Sequence, residues 1–176
     1  MRPSSNEYFS SMAQLVATRS TCLRRAVGCV LVNTRGHVLA TGYNGVASGR
    51  PHCNQSENDQ GELVKYLHSC EGAHAASGVN LDGCEAIHAE QNALLQCRDV
   101  HNIVACYVTV SPCLTCTKLL MNTSCRAIYF GEEYTHNEAA RRLWLLNSER
   151  IWLRASQEGF IGVDASESGG DTSGFE

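Results

Sequence analysis

Four side chains in this 176-residue sequence have the types and spacing to hold and use one metal ion: His88, Glu90, Cys113 and Cys116. His88-Ala89-Glu90 opens one predicted helix, and Pro112-Cys113-Leu114-Thr115-Cys116 opens another. A tetrahedral zinc takes nitrogen and sulphur ligands, and a catalytic zinc leaves one position to water. His88, Cys113 and Cys116 supply three ligands and leave that position open. Two cysteines separated by two residues at a helix N-terminus can aim at one ion, and the positive end of the helix favours thiolate over thiol. Glu90 falls close to the metal yet is free to avoid ligating it. Zinc lowers the pKa of bound water to about 7. A neighbouring carboxylate can take that proton and deliver protons to a ring nitrogen and a leaving amine.

Taken singly, each motif says little. A lone Cys-x-x-Cys serves as a redox pair or as half of a structural zinc site, and a lone His-x-Glu has no specificity. The redox reading fits poorly, because such pairs follow a strand in a thioredoxin-like pattern without a paired His-x-Glu. The combination His-x-Glu with Pro-Cys-x-x-Cys is the pattern of zinc deaminases.

The elements that must position these residues follow from periodicity. Tyr8, Met12, Leu15 and Val16 give one apolar face to a helix over residues 5–19. Residues 27–33 are β-rich, Thr34-Arg35-Gly36 makes a turn, and residues 37–41 return as the second strand of a hairpin. Gly42, Tyr43, Asn44 and Gly45 then read as a loop needing unusual backbone angles. Helices fit residues 88–98, 113–122 and 138–146, and strands fit 102–110, 126–130 and 151–153. Strands alternating with helices after a hairpin predict an α/β layered fold with a mixed sheet. Residues 1–160 read as one domain. A Cys/His-rich insertion at 46–86 shows little periodicity beyond residues 63–68, and a segment of that kind is usually functional or held by something other than a core, metal included. The acidic Ser/Gly-rich tail, 161–176, reads as disordered.

Composition narrows the function classes. The chain is 43% hydrophobic and 18% charged, as in ordinary globular proteins, and no apolar run reaches membrane-spanning length. Residues 1–6 are polar and do not resemble a secretory leader, so a cytoplasmic protein is expected, in host cytoplasm if phage-encoded. The ten cysteines then point to metal and burial rather than disulfides. A net charge of −4 with scattered basic residues argues against a polynucleotide partner.

The chain resembles the deoxycytidylate (dCMP) deaminases, within the cytidine deaminase superfamily, and most closely the style of phage or bacterial members. The resemblance rests on Ser20-Thr21-Cys22-Leu23-Arg24-Arg25-Ala26-Val27-Gly28, Thr41-Gly42-Tyr43-Asn44-Gly45, Gly49-Arg50-Pro51-His52-Cys53, His88-Ala89-Glu90-Gln91-Asn92-Ala93 and Ser111-Pro112-Cys113-Leu114-Thr115-Cys116. It implies a three-layer α/β/α sandwich around a five-stranded mixed sheet. It implies hydrolysis of dCMP to dUMP and ammonia, supplying dUMP for thymidylate synthesis. Zinc would sit on His88, Cys113 and Cys116, with Glu90 as proton shuttle, and Ala89 and Asn44 would help hold the nucleotide. The family is typically a homohexamer activated by dCTP and inhibited by dTTP with Mg2+. Gly42, Tyr43, Asn44 and Gly45 take part in that regulatory site. Some members carry a second, structural zinc; its ligands here match Cys22, Cys53 and His74, with Cys84 as the fourth and Cys70 as its rival.

Residues beside the motifs leave alternatives open. Arg24 and Arg25 suit a 5′-phosphate, which guanidinium binds bidentately, or a solvated helix end. Tyr134 walls the base or ribose, or is a rim aromatic in the core. Cys29, Cys97, Cys106 and Cys125 read as core, and His37, His68, His101 and His136 as surface or loop residues. Trp144 and Trp152 read as packing or subunit contact. Alternatives to a dCMP enzyme are one that also accepts dCTP, a deaminase of tRNA or single-stranded DNA, and a non-enzymatic zinc module. The nucleic-acid reading requires a basic groove and stacking aromatics, against an aromatic share of 7%. The module reading leaves the open metal position and Glu90 without purpose.

Overall fold

The computed structural model describes residues 2–53, 69–76, 78–80, 82–156 and 159–162. The first helix, α1 (Ser5–Ala17), begins where Ser4 caps it. Ser4 Oγ accepts the Glu7 N–H at 3.2 Å and the Glu7 carboxylate accepts the Ser4 N–H at 2.6 Å, so two orphan donors of the first turn are satisfied reciprocally. β1 (Gly28–Val32) and β2 (Val38–Tyr43) form the expected hairpin. Gly36 turns it at φ 73°, and Asn33 Oδ1 accepts the N–H groups of Arg35 and His37.

The loop expected at residues 42–45 is not what forms. Gly42 and Tyr43 extend β2, and Gly45 opens a short strand β3 (Gly45–Val46) that pairs antiparallel with β4 (Ala86–Ile87). Neither glycine has a positive φ. Close approach, not conformational freedom, selects them. A Cβ on Gly42 would run into the Ala89 carbonyl and the Ala93 nitrogen, and one on Gly45 would stand 2.6 Å from Thr21 Oγ1.

The chain continues through α2 (Ala89–Gln96), a 3-10 turn at Val100–Asn102, β5 (Ala105–Val110), α3 (Leu114–Met121), β6 (Ala127–Glu132), α4 (Glu138–Leu145), β7 (Ile151–Ser156) and β8 (Gly159–Gly162). The sheet order is β2-β1-β5-β6-β7-β8. β1 pairs antiparallel with β2 and β5, whereas β5, β6 and β7 are parallel through the crossover helices α3 and α4. The first five strands in that order are the five-stranded mixed sheet expected. β8 adds a sixth, antiparallel to β7, and it takes residues 161 and 162 out of the segment read as a disordered tail. The rest of that tail, and the short periodic stretch at 63–68 with His68, lie outside the described residues.

Period-two alternation sorts the sheet's side chains into two cores. Cys29 and Leu31 of β1, with Cys106 and Val108 of β5, face α2, α3 and α4 together with Leu120, Phe130, Trp144 and Trp152. Val30 and Val32, with Ala105 and Tyr107, face α1, where Phe9 and Ala13 cover them. One helix on one face and three on the other complete the α/β/α sandwich. Trp144 and Trp152 are buried, and Trp144 Nε1 donates to the Ile151 carbonyl at 3.0 Å, so both pack within the chain. Cys29, Cys106 and Cys125 are buried in the same core, and Cys97 packs half-buried against it. Among the described residues no helix is long and apolar enough to cross a membrane.

The Gly42 contact seats α2 directly on β2, backbone against backbone. Gly42→Ala forces the two apart, and overpacking of this kind is expected to lower the free energy of unfolding by about 3 kcal/mol in urea denaturation.

Candidate active site

Two helix N-termini meet at the C-terminal end of β5. His88 is the N-cap of α2 and Cys113 the N-cap of α3, both with extended backbone. The Gln91 side chain accepts the His88 N–H at 2.9 Å, which fixes the first turn of α2. Pro112 stops the β5 ladder and hands the chain to α3. His88 Nδ1 lies 3.5 Å from Cys113 Sγ and 3.4 Å from Cys116 Sγ. A tetrahedral zinc with Zn–N near 2.0 Å and Zn–S near 2.3 Å places those atoms about 3.5 Å apart, so the three ligands have the separation that ion requires. Among the described residues this is the one group of three or more His, Cys, Asp or Glu with ligand atoms within 4.8 Å of one another.

The electrostatics of the three agree with a metal site. A hydrogen bond from the Cys116 thiol pulls the Cys113 thiol down to about 4, with help from His88 and the Cys116 N–H. Cys116, giving up that bond and buried, is raised instead. His88 is raised by its hydrogen bond with Cys113. A cation at the centre favours the deprotonated form of both thiols. Glu90, on the first turn of α2, is 3% exposed. Burial pushes its carboxyl up to about 7, against the pull of its own backbone N–H and of His88. A carboxyl near 7 can both take and return a proton at neutral pH.

In front of these groups lies an open cleft of ≈ 660 Å³. Arg24, Arg25, Asn44, Ser111 and Tyr134 line it with Glu90, and Ala89 stands at its floor. Asn44 Oδ1 accepts from Ser20 Oγ at 2.6 Å and from the Val27 N–H at 2.8 Å, while Nδ2 donates to the Arg25 carbonyl at 2.7 Å. Its amide is thus a brace for the loop carrying the two arginines. Arg24 Nη2 donates to the carbonyls of Ala76 and Val79 at 2.7 and 3.0 Å. Among the described residues, the Nη1 atoms of Arg24 and Arg25 are buried with no hydrogen-bond partner. Buried guanidinium nitrogens without acceptors call for an anion. Of the four residues expected at a regulatory site, only Asn44 lines this cleft; Gly42 and Gly45 serve packing, and the Tyr43 side chain is exposed.

A second cysteine group sits beside the cleft. Cys53 and Cys70 are buried together, with Cys84 packed against them. Cys53 is raised, first by burial. Cys70 is lowered despite burial, by hydrogen bonds from the backbone at Glu85 and Gly72 and from the thiols of Cys53 and Cys84. Cys22 lies close enough to act on the charge of both Cys53 and Cys84. His74 is exposed, and Cys70 is hydrogen-bonded to Cys53 and Cys84.

Two residues at the cleft, and Asn137 behind one of them, escaped the sequence reading as site residues. His136 is exposed, as expected, yet lines the cleft beside Tyr134 with ring centroids 6.0 Å apart. Ser111 was visible as part of the Ser-Pro-Cys motif. Asn137, the N-cap of α4, carried a helix-start signal that says nothing of the cleft.

The family model for the cytidine and deoxycytidylate deaminase zinc-binding region matches residues 3–132. The chain belongs to that family. Within these deaminases it is 37% identical over 158 residues to the deoxycytidylate deaminase of Schizosaccharomyces pombe, covering 87% of this chain and 44% of that protein. It is 34% identical over 134 residues to the deoxycytidylate deaminase of Mycobacterium phage D29, covering 75% of this chain and 98% of that one. The chain spans less than half the length of the two yeast relatives it matches. The crystal structure of dCMP deaminase from the cyanophage S-TIM5 in apo form superposes with a TM-score of 0.61 at 22% identity, covering 88% of this chain and 99% of that one, which establishes the deaminase fold.

Glu90→Gln keeps the shape and the zinc ligands, so zinc content measured by atomic absorption stays at the parent level while deamination falls by at least about a thousandfold. The same variant tests the burial of the carboxyl. A carboxyl raised in the folded state stabilises the protein below its unfolded pKa and loses that contribution as pH rises through about 7. Glu90→Gln is therefore expected to stabilise the metal-free protein by about 3 kcal/mol at pH 8, falling below about 1 kcal/mol by pH 5, in denaturation curves at the two values.

Proposed function

We propose that this chain hydrolyses dCMP to dUMP and ammonia. The observation that carries this reading is the pairing, in one cleft, of a buried carboxyl near 7 beside the His/Cys/Cys set with two buried, unpartnered arginine nitrogens. The first pair of features fits attack on a cytosine ring, and the second fits a phosphate attached to it. That curated relatives bear the name deoxycytidylate deaminase supports the choice.

A zinc ion on His88, Cys113 and Cys116 would supply an acidified water for the attack. Glu90 then takes a proton from that water and delivers it to the ring nitrogen. As the C–N bond breaks and the ring carbonyl forms, Glu90 takes the remaining proton of the added hydroxyl and hands it to the departing amine, which leaves as ammonia. Ala89, buried at the head of α2, brings backbone rather than side chain to the base, and Tyr134 walls the base or ribose. Arg24 and Arg25 hold the 5′-phosphate.

The reading extends to regulation by dCTP and dTTP with Mg2+, through Gly42, Tyr43, Asn44 and Gly45, and to a homo-oligomer, a hexamer in the family. The exposed Leu95, Leu119 and Leu146 on α2, α3 and beyond α4 offer apolar surface for subunit contact. A cytoplasmic setting agrees with ten free cysteines. A second, structural zinc would be held by Cys22, Cys53, Cys70 and Cys84, with the lowered Cys70 as its thiolate and His74 outside the set.

Initial rates on dCMP, deoxycytidine and dCTP test the substrate. dCMP is expected to lead deoxycytidine by at least about a hundredfold in kcat/KM, and Arg25→Ala to remove most of that lead. A parent enzyme that prefers the nucleoside refutes the phosphate reading. For the second metal, two zinc ions per chain are expected. Cys70→Ser should leave one, whereas His74→Ala should keep both. One zinc in the parent, or loss with His74→Ala, overturns the four-sulphur assignment.

A further inference from the structure

We infer that the Ser111 hydroxyl is a hydrogen-bond donor to an oxygen of the bound nucleotide, and that Asn137 is the positioning residue that turns its proton that way. The inference rests on the reading of the cleft as a nucleotide site. Neither residue is a metal ligand or part of the proton shuttle.

A hydroxyl carries one proton and two acceptor sites. Ser111, 3% exposed and on the cleft wall, uses its oxygen twice as an acceptor. The Tyr134 N–H reaches Ser111 Oγ at 2.7 Å and Asn137 Nδ2 reaches it at 3.2 Å. Both acceptor sites are thereby filled, and among the described residues Ser111 Oγ donates no hydrogen bond. A buried donor left without a partner is unfavourable, so a site built this way is completed by something that enters it.

The polarity of this arrangement is set from outside the cleft. An amide oxygen and nitrogen are told apart only by their partners. Asn137 Nδ2 also donates to Glu133 Oε1 at 3.0 Å, and a carboxylate only accepts. Glu133 therefore fixes which end of the Asn137 amide faces inward, and that end is the donor. Arg154 Nη1 stands 3.9 Å from Glu133 Oε2, leaving Oε1 to accept from Asn137. The Tyr134 bond cannot reverse, because a backbone N–H has no other role. Asn137 itself is 7% exposed and is held at both ends of its backbone, its N–H donating to the Tyr134 carbonyl at 3.2 Å and its carbonyl accepting from Arg141 at 2.8 Å. The chain of effects runs from Glu133 through the Asn137 amide to the Ser111 proton. The same bonds pin Tyr134, so the wall of the cleft and the donor in it are set by one side chain.

The ligand class follows from the chemistry: an oxygen with a free lone pair, either a phosphoryl oxygen or an oxygen of the base or sugar. The test measures kcat and KM on dCMP and deoxycytidine, with melting temperature and zinc content, for Ser111→Ala, Asn137→Asp and the double variant. Asn137→Asp is nearly isosteric but puts an acceptor where the amide nitrogen was, so the Ser111 proton turns to it and away from the ligand. Each single variant is expected to raise KM for dCMP about tenfold while kcat changes by less than about threefold. The double variant is expected to match Ser111→Ala, because a reversed hydroxyl and an absent one deny the ligand the same bond. A KM effect on dCMP alone assigns the oxygen to the phosphate; an effect on both substrates assigns it to the base or sugar. Unchanged KM in either single variant, or a fall in melting temperature without a change in KM, overturns the inference, as does a double variant worse than either single. A parent enzyme inactive on dCMP and deoxycytidine alike refutes the nucleotide reading itself, a separate outcome.

Discussion

Bringing two sulphurs to about 3.5 Å of one imidazole nitrogen requires that two helices start at the same point in space, and most of the architecture serves that requirement. α2 must lie on β2 with no side chain between them, which is why Gly42 meets the backbone of Ala89 and Ala93. α3 must begin where β5 ends, which Pro112 enforces by ending the ladder. The two N-termini then contribute their positive ends to a centre that gathers two cysteines and a carboxyl, groups whose ionised forms would otherwise repel. The sheet's parallel half, β5-β6-β7, is the frame that orients α3 and α4 toward this edge.

The same burial that makes the centre chemically useful makes it costly for folding. Glu90 gives up water and becomes a weak acid; Cys113 and Cys116 share one proton unequally. Each is a strained choice for an apolar core, and each relaxes when a cation is present. Stability and chemistry are thus set by the same few atoms, and the large cores on either face of the sheet supply what those atoms cost.

Much of this was legible in residues whose role is local. The apolar face formed by Tyr8, Met12, Leu15 and Val16, the β-rich runs at 27–33 and 102–110, and the His-x-Glu and Cys-x-x-Cys spacings all depend on neighbours within a turn or a strand, so reading along the chain finds them. Gly42 and Gly45 were misread because a glycine chosen for close packing looks the same in sequence as one chosen for a positive φ; only the partner helix tells them apart. The choice between Cys84 and Cys70 as a fourth ligand was not legible, because this chain departs from the family pattern around residues 75–86. Ser111 and Asn137 are 26 residues apart and meet only when β5 and α4 come together. β8 went unseen for another reason: residues 159–162 adjoin an acidic, Ser/Gly-rich stretch whose composition masked a short strand that exists by pairing to β7.

Arg24 touches two parts of the molecule at once. One nitrogen of its guanidinium holds the Ala76 and Val79 carbonyls of the insertion, and another faces the cleft without a partner. A guanidinium is planar and stiff, so its two edges move as a unit. The inserted segment is for that reason tied to the cleft wall: releasing the Ala76 and Val79 carbonyls would loosen the whole guanidinium, not one edge of it.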